Sequence, residues 1–183
     1  MTNKRKISIF LSLHILFYIL AYIGLFLFII YFHLTYSFLN MLFVLFPFVL
    51  VVCWVLFLLK KSNHNNNRKK IIKRILIMSI FLPFFCILLL GINHYNSQFN
   101  TEKWLNKPND RVYMIDDFLE DYKLKGMTKG EIYSLLGKPE NENDKELEYY
   151  LGSEQGLIRI DSEVLVIYLN KKEIVINYEL KTG

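Results

Sequence analysis

The sequence predicts an α-helical membrane anchor of three transmembrane helices, followed by an α+β domain in which two helices pack on a three- or four-stranded antiparallel sheet. Three observations predict this division. Three apolar runs in the first half are long enough to cross a bilayer. Ten basic residues and no acidic residue precede Glu102, whereas all 17 acidic residues lie at or after it. In the second half, the apolar spacing changes from a helical period to alternation.

The first apolar run, residues 7–32, contains no charged residue and follows the basic cluster Lys4–Lys6. A membrane-spanning helix needs about 20 residues, whereas the apolar core of a signal peptide has roughly 7–15. The run is therefore expected to be a retained span. Two further runs, residues 38–59 and 75–92, contain Pro47 and Pro83, which spanning helices tolerate. Residues 1–92 form the predicted membrane domain.

The loop at residues 60–74 determines the predicted topology. It holds seven basic residues and no acidic one, whereas the short break at residues 33–37 has none of either. Basic residues in short loops stay in the cytoplasm. We therefore expect a multi-pass cell-membrane protein with a cytoplasmic N-terminus, a cytoplasmic loop at 60–74 and an extracytoplasmic region from residue 93 onward.

Composition excludes several function classes. The formal net charge is +5, but residues 93–183 carry 12 basic and 17 acidic residues, so nucleic-acid binding is not expected. No Asp, Glu, Lys or Arg lies inside a predicted span, which leaves a proton relay or voltage sensor without its charged groups. His14 lies in the first span, where a neutral imidazole bonded to a neighbouring helix is favoured over a functional group.

After a polar connector at residues 93–109, helical patterns begin the predicted domain at residues 110–183. Thr101 could cap a short helix carrying Trp104 and Leu105. Asp110 is a plausible N-cap for a helix from Arg111 to Leu124. One face of that helix is apolar: Val112, Ile115, Phe118, Leu119 and Tyr122. The opposite face carries Asp117, Glu120 and Asp121, for which a solvated surface is favoured over a cation site.

A second helix is predicted from Lys129 to Leu136. Thr128 and Glu131 have the spacing of a capping box, in which the Thr oxygen and the Glu carboxylate each accept an N–H of the first turn. Gly126 separates this helix from the preceding one. Gly137 stands where a left-handed residue commonly ends a helix, and Pro139 prevents continuation.

The remaining residues alternate as strands do. After a polar loop at 140–146, strands are predicted at 147–151, 157–160, 164–169 and 174–180, with turns at 152–156 and 170–172. The 164–169 segment is apolar throughout, which is typical of a central strand buried on both faces.

The segment Leu124–Pro139, LKGMTKGEIYSLLGKP, resembles the signature of the SmpA/OmlA (BamE-like) domains. Its motif residues are Gly126, Met127, Thr128, Glu131, Leu136, Gly137 and Pro139. The resemblance covers roughly residues 110–180 and implies a fold like that of beta-lactamase inhibitory protein, with two helices on one face of an antiparallel sheet. It also implies a small non-catalytic envelope module that binds other proteins. The assembly lipoproteins of that family are lipid-anchored, whereas this chain has three predicted spans. Its basic, Lys/Asn/Ile-rich membrane half is more like that of a single-membrane bacterium, which has no outer-membrane assembly machinery, so the family's partners are not carried over.

Catalytic chemistry has few candidate residues in the second half. It contains no cysteine and its histidine is His94, so nucleophile systems with histidine and zinc sites are not expected. Asp161 and Glu163 flank Ser162 and could act as an acid/base pair, although solvated or capping carboxylates are favoured. We expect no enzyme activity, no metal and no cofactor.

The leading hypothesis is an integral membrane protein that presents a protein-binding domain for cell-envelope assembly or maintenance. Its partners would be the lipid bilayer and an envelope protein. Tyr150, Asp161 and Glu163 are the candidate binding residues, with the loop at 140–146 as a second contact region. A sensor, signalling or protective (immunity-type) membrane protein is the alternative, and a carboxylate-based hydrolase is a remote one.

Overall fold

A computed structural model describes residues 3–61, 66–153 and 161–182 of the 183-residue chain. The chain divides into two compact units, Met1–His94 and Tyr95–Gly183. Four helices make up most of the first unit: α1 Asn3–Tyr31, α2 Phe38–Lys61, α3 Asn66–Ser79 and α4 Phe81–Ser97, which ends just beyond it. Within the described residues, three stretches are long and apolar enough to cross a membrane: Ser12–Tyr31, Phe38–Lys60 and Lys69–Ser97.

The third apolar stretch differs from the prediction of one span at residues 75–92. It consists of two helices separated at Ile80, and the first of them begins at Asn66. Pro83 lacks the N–H that would bond the carbonyl of Ser79, so the helix breaks at this turn. The basic segment at 60–74 was expected to be a loop, but it contains the end of α2 and the start of α3. Residues 62–65 of this segment lie outside the described residues.

Two tyrosine hydroxyls of α1 donate hydrogen bonds to backbone carbonyls of the other helices. The Tyr18 hydroxyl of α1 donates to the Ser79 carbonyl over 2.6 Å. One turn later, the Tyr22 hydroxyl donates over 2.7 Å to the carbonyl of Val44, three residues before Pro47 of α2. The Tyr18 hydroxyl therefore supplies a donor to the carbonyl that Pro83 leaves without a backbone N–H, and the Tyr22 hydroxyl bonds α2 within one turn of Pro47.

The second unit begins with short helices: α5 Thr101–Asn106, a 3₁₀-helix Pro108–Tyr113, α6 Ile115–Asp121 and α7 Lys129–Leu136. The expected cap at Thr101 is wrong, because Asn100 is the N-cap and its side chain accepts the N–H groups of Glu102 and Lys103. The expected helix from Arg111 to Leu124 with an Asp110 N-cap is also wrong. Met114 separates the 3₁₀-helix from α6, and the Arg111 side chain is drawn into the interior.

A four-stranded antiparallel sheet completes the second unit, in the order β1 Asn141–Glu142, β2 Glu146–Ser153, β3 Ser162–Leu169 and β4 Val175–Thr182. Strand β1 lies in the segment that was expected to be a loop. The prediction of a central strand at 164–169 is confirmed, since β3 pairs with both β2 and β4. The strand expected at 157–160 lies outside the described residues, as does most of the turn expected at 152–156.

One face of the sheet forms the core of the second unit with the helices. Leu147, Tyr149 and Leu151 of β2 and Leu165, Ile167 and Leu169 of β3 alternate onto this face and are buried. Trp104 of α5 and Phe118 of α6 pack in the same cluster, with ring centroids 5.8 Å apart. Residues 93–109, which were expected to be a polar connector, thus contribute Trp104 to the core.

Candidate functional site: the outer surface of the sheet

The outer face of the sheet lies opposite the helices and is largely polar. Strand alternation and the β2–β3–β4 register place Val164 between Tyr150 and Lys181, and Tyr168 between Glu146 and Asn177. Val166 lies at the centre of this face and is 2% exposed. The face therefore combines a small apolar centre with tyrosines and charged residues.

Tyr168, Glu179 and Lys181 form a hydrogen-bonded group on the outer face. The Tyr168 hydroxyl donates to the Glu179 carboxylate, and the Lys181 ammonium donates to the same hydroxyl over 3.0 Å. Lys181 and Glu179 also pair at 2.8 Å. The neighbouring ammonium, followed by the Tyr168 hydroxyl, lowers the pKa of Glu179, and the pKa of Lys181 is raised mainly by Glu179. Both groups therefore stay charged around neutral pH.

Strand β4 is an edge of the sheet. Leu169 donates its N–H away from β4, to the carbonyl of Lys145. The alternation of an antiparallel ladder then directs the N–H and C=O groups of Tyr178, Leu180 and Thr182 away from β3. Within the described residues, no backbone hydrogen bond reaches this edge between Tyr178 and Thr182. Leu180 and Ile176 are 44% and 54% exposed, so apolar side chains accompany the open edge.

The start of β4 is covered by the first part of the segment Leu124–Pro139. Gly126 donates to the carbonyl of Val175 over 2.9 Å, and Val175 donates to the carbonyl of Met127 over 2.8 Å. Thr128 and Ile174 form an isolated antiparallel bridge. Gly126 has a φ of 97°, which favours glycine at this turn. These residues close one end of the edge and leave the other end open.

The rest of the segment Leu124–Pro139 contains helix α7, as predicted. Thr128 Oγ1 accepts the Glu131 N–H, and the Glu131 carboxylate accepts the Thr128 N–H, which confirms the capping box. Leu136 is fully buried. Gly137 has the expected positive φ of 75°, but its ψ of −164° is extended and not left-handed helical. Its carbonyl accepts the Tyr149 hydroxyl over 2.9 Å, and the chain turns through the half-buried Pro139 into β1.

The three predicted binding residues do not share one surface. Tyr150 lies half-buried on the outer face of β2. Glu163 precedes Val164 in β3 and therefore projects toward the opposite face from Tyr150. Asp161 is exposed in the bend before β3. The structure thus places Tyr150 on the candidate surface, whereas Asp161 and Glu163 do not converge with it.

The buried Arg111, whose role the sequence pattern did not indicate, holds the backbone of β2 at Tyr150. Arg111 is 5% exposed, and its guanidinium donates to the Trp104 carbonyl over 2.9 Å and to the Tyr150 carbonyl over 3.0 Å. It also pairs with Glu140 at 2.8 Å, and the other Glu140 oxygen accepts the Tyr150 N–H over 2.9 Å. This network links α5, the 3₁₀-helix and β2 around Tyr150.

A charged cluster joins α7, β1 and the turn before β4. The Tyr133 hydroxyl donates to Glu142, which is the main reason that the pKa of Glu142 is lowered. Lys129 lies 3.7 Å from Glu142 and 3.8 Å from Glu173. These ion pairs are exposed or partly exposed, so solvent screens them. Over the described part of the chain, no three His, Cys, Asp or Glu residues are grouped so that they could hold a metal ion.

Comparisons with protein-family models, with curated proteins and with solved structures give no match to this chain. The candidate surface is therefore defined by its own geometry: an open strand edge, flanked by exposed apolar residues and a pre-organised group of charged side chains.

Proposed function

We propose that this chain is a three-span membrane protein whose second unit lies outside the cytoplasm and binds another protein of the cell envelope. The binding surface is the open edge of β4 from Tyr178 to Thr182. An extended segment of the partner adds to this edge as a further antiparallel or parallel strand. Main-chain hydrogen bonds supply affinity in such strand addition, and side-chain contacts supply selectivity. The second unit acts as a binding module without catalysis.

The open edge of β4 is the observation that carries the proposal. Natural sheets usually protect an edge with charges, bulges or covering segments, because an exposed edge pairs with other chains. Here a bulge at Ile176 and the segment Gly126–Thr128 protect only the start of the strand. Lys181 projects onto the outer face beside Glu179 and leaves the backbone groups of Leu180 accessible.

The orientation in the membrane rests on the charge distribution. Ten basic residues precede Glu102, and seven of them lie in the segment at 60–74. This asymmetry supports a cytoplasmic N-terminus and an external second unit. The order of α6, α7 and an antiparallel sheet, together with the Leu124–Pro139 motif, supports assigning the second unit to the SmpA/OmlA-like domains and their role in envelope assembly or maintenance.

The orientation is tested with a reporter fused after Gly183. A fused alkaline phosphatase, which is active only outside the cytoplasm, is expected to give a signal. A fusion to a reporter active only in the cytosol should give no signal. The reverse pattern would contradict the proposed orientation and remove the envelope partner with it.

Strand addition is tested by photo-crosslinking in intact cells, with the photoreactive residue placed at Thr182. A control chain carries it at Glu120, which is exposed on α6. An adduct is expected from the first position and not from the second. Leu180→Pro should abolish the adduct, because proline removes an outward N–H without breaking the β3–β4 ladder. Leu180→Val keeps that N–H and should retain the adduct. An adduct that persists in a folded Leu180→Pro variant would contradict strand addition.

A further inference from the structure

The first unit contains a cavity of about 800 Å³ between α1, α2 and the pair α3–α4. Its described lining comes from residues 14–21, 47–54 and 71–82 of these helices. Ligand pockets in proteins typically measure about 300–1,000 Å³. The cavity therefore has room for a ligand.

Apolar side chains line most of the cavity. From Arg74 to Leu82, its wall extends roughly 12 Å at 1.5 Å per helical residue. Tyr18 and Ser79 also line it, but the Tyr18 hydroxyl already donates to the Ser79 carbonyl, so these groups do not require a polar ligand. Phe17 and Met78 line it and are 76% and 66% exposed, which opens the cavity to the side, where acyl chains of a bilayer would lie.

One end of the cavity is basic. Arg74 is the one charged side chain among the described lining residues, and Lys70 lies one helical turn before it on the same face. No acidic residue precedes Glu102, so this unit contains no carboxylate that could pair with Arg74. Basic pockets between membrane helices bind anionic lipid headgroups. The side chain of His14 stacks on Trp54 across the cavity, with ring centroids 4.7 Å apart.

We propose that this cavity binds one anionic glycerophospholipid from the surrounding bilayer. An acyl chain occupies the space between the helices, and the headgroup phosphate pairs with Arg74, with Lys70 beside it. The lateral opening favours a lipid as the ligand. The basic end, in a unit without acidic residues, favours an anionic headgroup over a neutral one. Lipid binding here requires that the helices are inserted in a bilayer. It requires neither a particular side for the second unit nor a binding partner for that unit.

Trp54 provides a direct probe because it lines the cavity, while the other tryptophan, Trp104, is fully buried in the second unit. The full chain is reconstituted into vesicles containing either brominated phosphatidylglycerol or brominated phosphatidylcholine at the same mole fraction. Bromine quenches a tryptophan that it contacts. We expect a preference of about fivefold for the anionic lipid, the ratio that one basic residue near an anionic membrane surface provides.

Two matched variants separate the cavity from the general basic charge. Arg74→Gln should abolish the preference, whereas Lys73→Gln, which removes the same charge from a neighbouring residue outside the cavity lining, should retain it. Ala21→Phe fills the cavity without changing charge and should lower quenching by both lipids. Equal quenching by both lipids in the unaltered chain would overturn the proposal. Protection of Trp54 from both lipids would also overturn it, since a second copy or the chain itself would then occupy the cavity.

Discussion

The hydroxyl of Tyr18 donates to the backbone carbonyl of Ser79 over 2.6 Å. Ser79 is the residue four positions before Pro83, so its carbonyl has lost the N–H that an unbroken helix would supply. A side chain of α1 thus replaces a backbone donor missing from α4. Among the described residues of the first unit, this bond joins the end of α3 to α1, and the Tyr22–Val44 bond joins α2 to α1.

Tyr18→Phe is expected to destabilise the helical unit, because it leaves the Ser79 carbonyl without its donor in an apolar environment. Hydrogen bonds between membrane helices contribute about 0.6 kcal/mol on average and up to about 1.7 kcal/mol. Pro83→Ala restores a backbone N–H for the same carbonyl, so Tyr18→Phe should cost less in that background. Reversible unfolding of the four chains of this double-mutant cycle in mixed micelles gives the coupling. Equal costs of Tyr18→Phe in both backgrounds would show that the bond does not substitute for the missing N–H.

Substitution of Arg111 is expected to lower the unfolding free energy of the second unit more than substitution of Glu140, although the two form an ion pair. Arg111 is 5% exposed and donates to two backbone carbonyls, whereas the Glu140 side chain is 41% exposed and can be hydrated when unpaired. Arg111→Lys should cost about 2 kcal/mol or more, since a single ammonium cannot reproduce the planar fork. Glu140→Gln should cost about 1 kcal/mol, because the amide oxygen can still accept. Denaturant unfolding, followed by Trp104 fluorescence in a Trp54→Phe background, measures both, and the reverse order would contradict this role.

Arg111 also shows why the sequence predicted helix α7 well and the region before it poorly. The signals for α7 are local, because Thr128, Glu131 and Gly137 lie within ten residues and all favour the same boundaries. The 3₁₀-helix depends on bonds from Arg111 to Tyr150, which are 39 positions apart. The apolar face at Val112, Ile115 and Phe118 was predicted and is buried, yet helical spacing alone does not reveal the break at Met114.

The candidate surface was only partly accessible to sequence analysis for a similar reason. Tyr150 could be placed on a strand by alternation, and it lies on the outer face. The open edge of β4 depends on which strands pair and in which register, and neither is contained in a local pattern. The cavity likewise depends on the packing of α1, α2, α3 and α4, so Arg74 could be predicted only as one basic residue among seven in its segment.

Gly152→Ala is expected to destabilise the second unit strongly. Gly152 has a φ of 119°, and an added Cβ would lie 2.3 Å from the backbone oxygen of Asn109, which cannot move without the 3₁₀-helix. The cost should be about 3 kcal/mol, from backbone strain together with the clash. Gly130→Ala is the matched control, since its Cβ would meet nothing within 4 Å and alanine favours the helix by about 0.5–1 kcal/mol. Unfolding of both variants under the same conditions should give opposite signs, and similar stabilities would contradict the close approach.

The capping box of α7 should make the second unit less stable in acid. The N–H and the hydroxyl of Thr128 donate to the Glu131 carboxylate over 2.7 and 2.9 Å, which lowers the pKa of Glu131 below its ordinary value of 4.5. The unfolded chain therefore takes up this proton at a higher pH than the folded chain does. The stabilisation is present above about pH 4.5 and is lost as the pH falls through the lowered pKa.

Glu131→Gln should flatten the decline in unfolding free energy between pH 5 and pH 3, because an amide has no carboxylate proton to take up. Thr128→Val, which keeps the backbone N–H but removes the hydroxyl, should flatten it less. Glu142 and Glu179 also have lowered pKa values, so part of the decline should remain in both variants. Denaturant titrations at several pH values, read from Trp104 in the Trp54→Phe background, give the slopes. An unchanged slope in Glu131→Gln would show that the capping carboxylate titrates alike in the folded and unfolded chains.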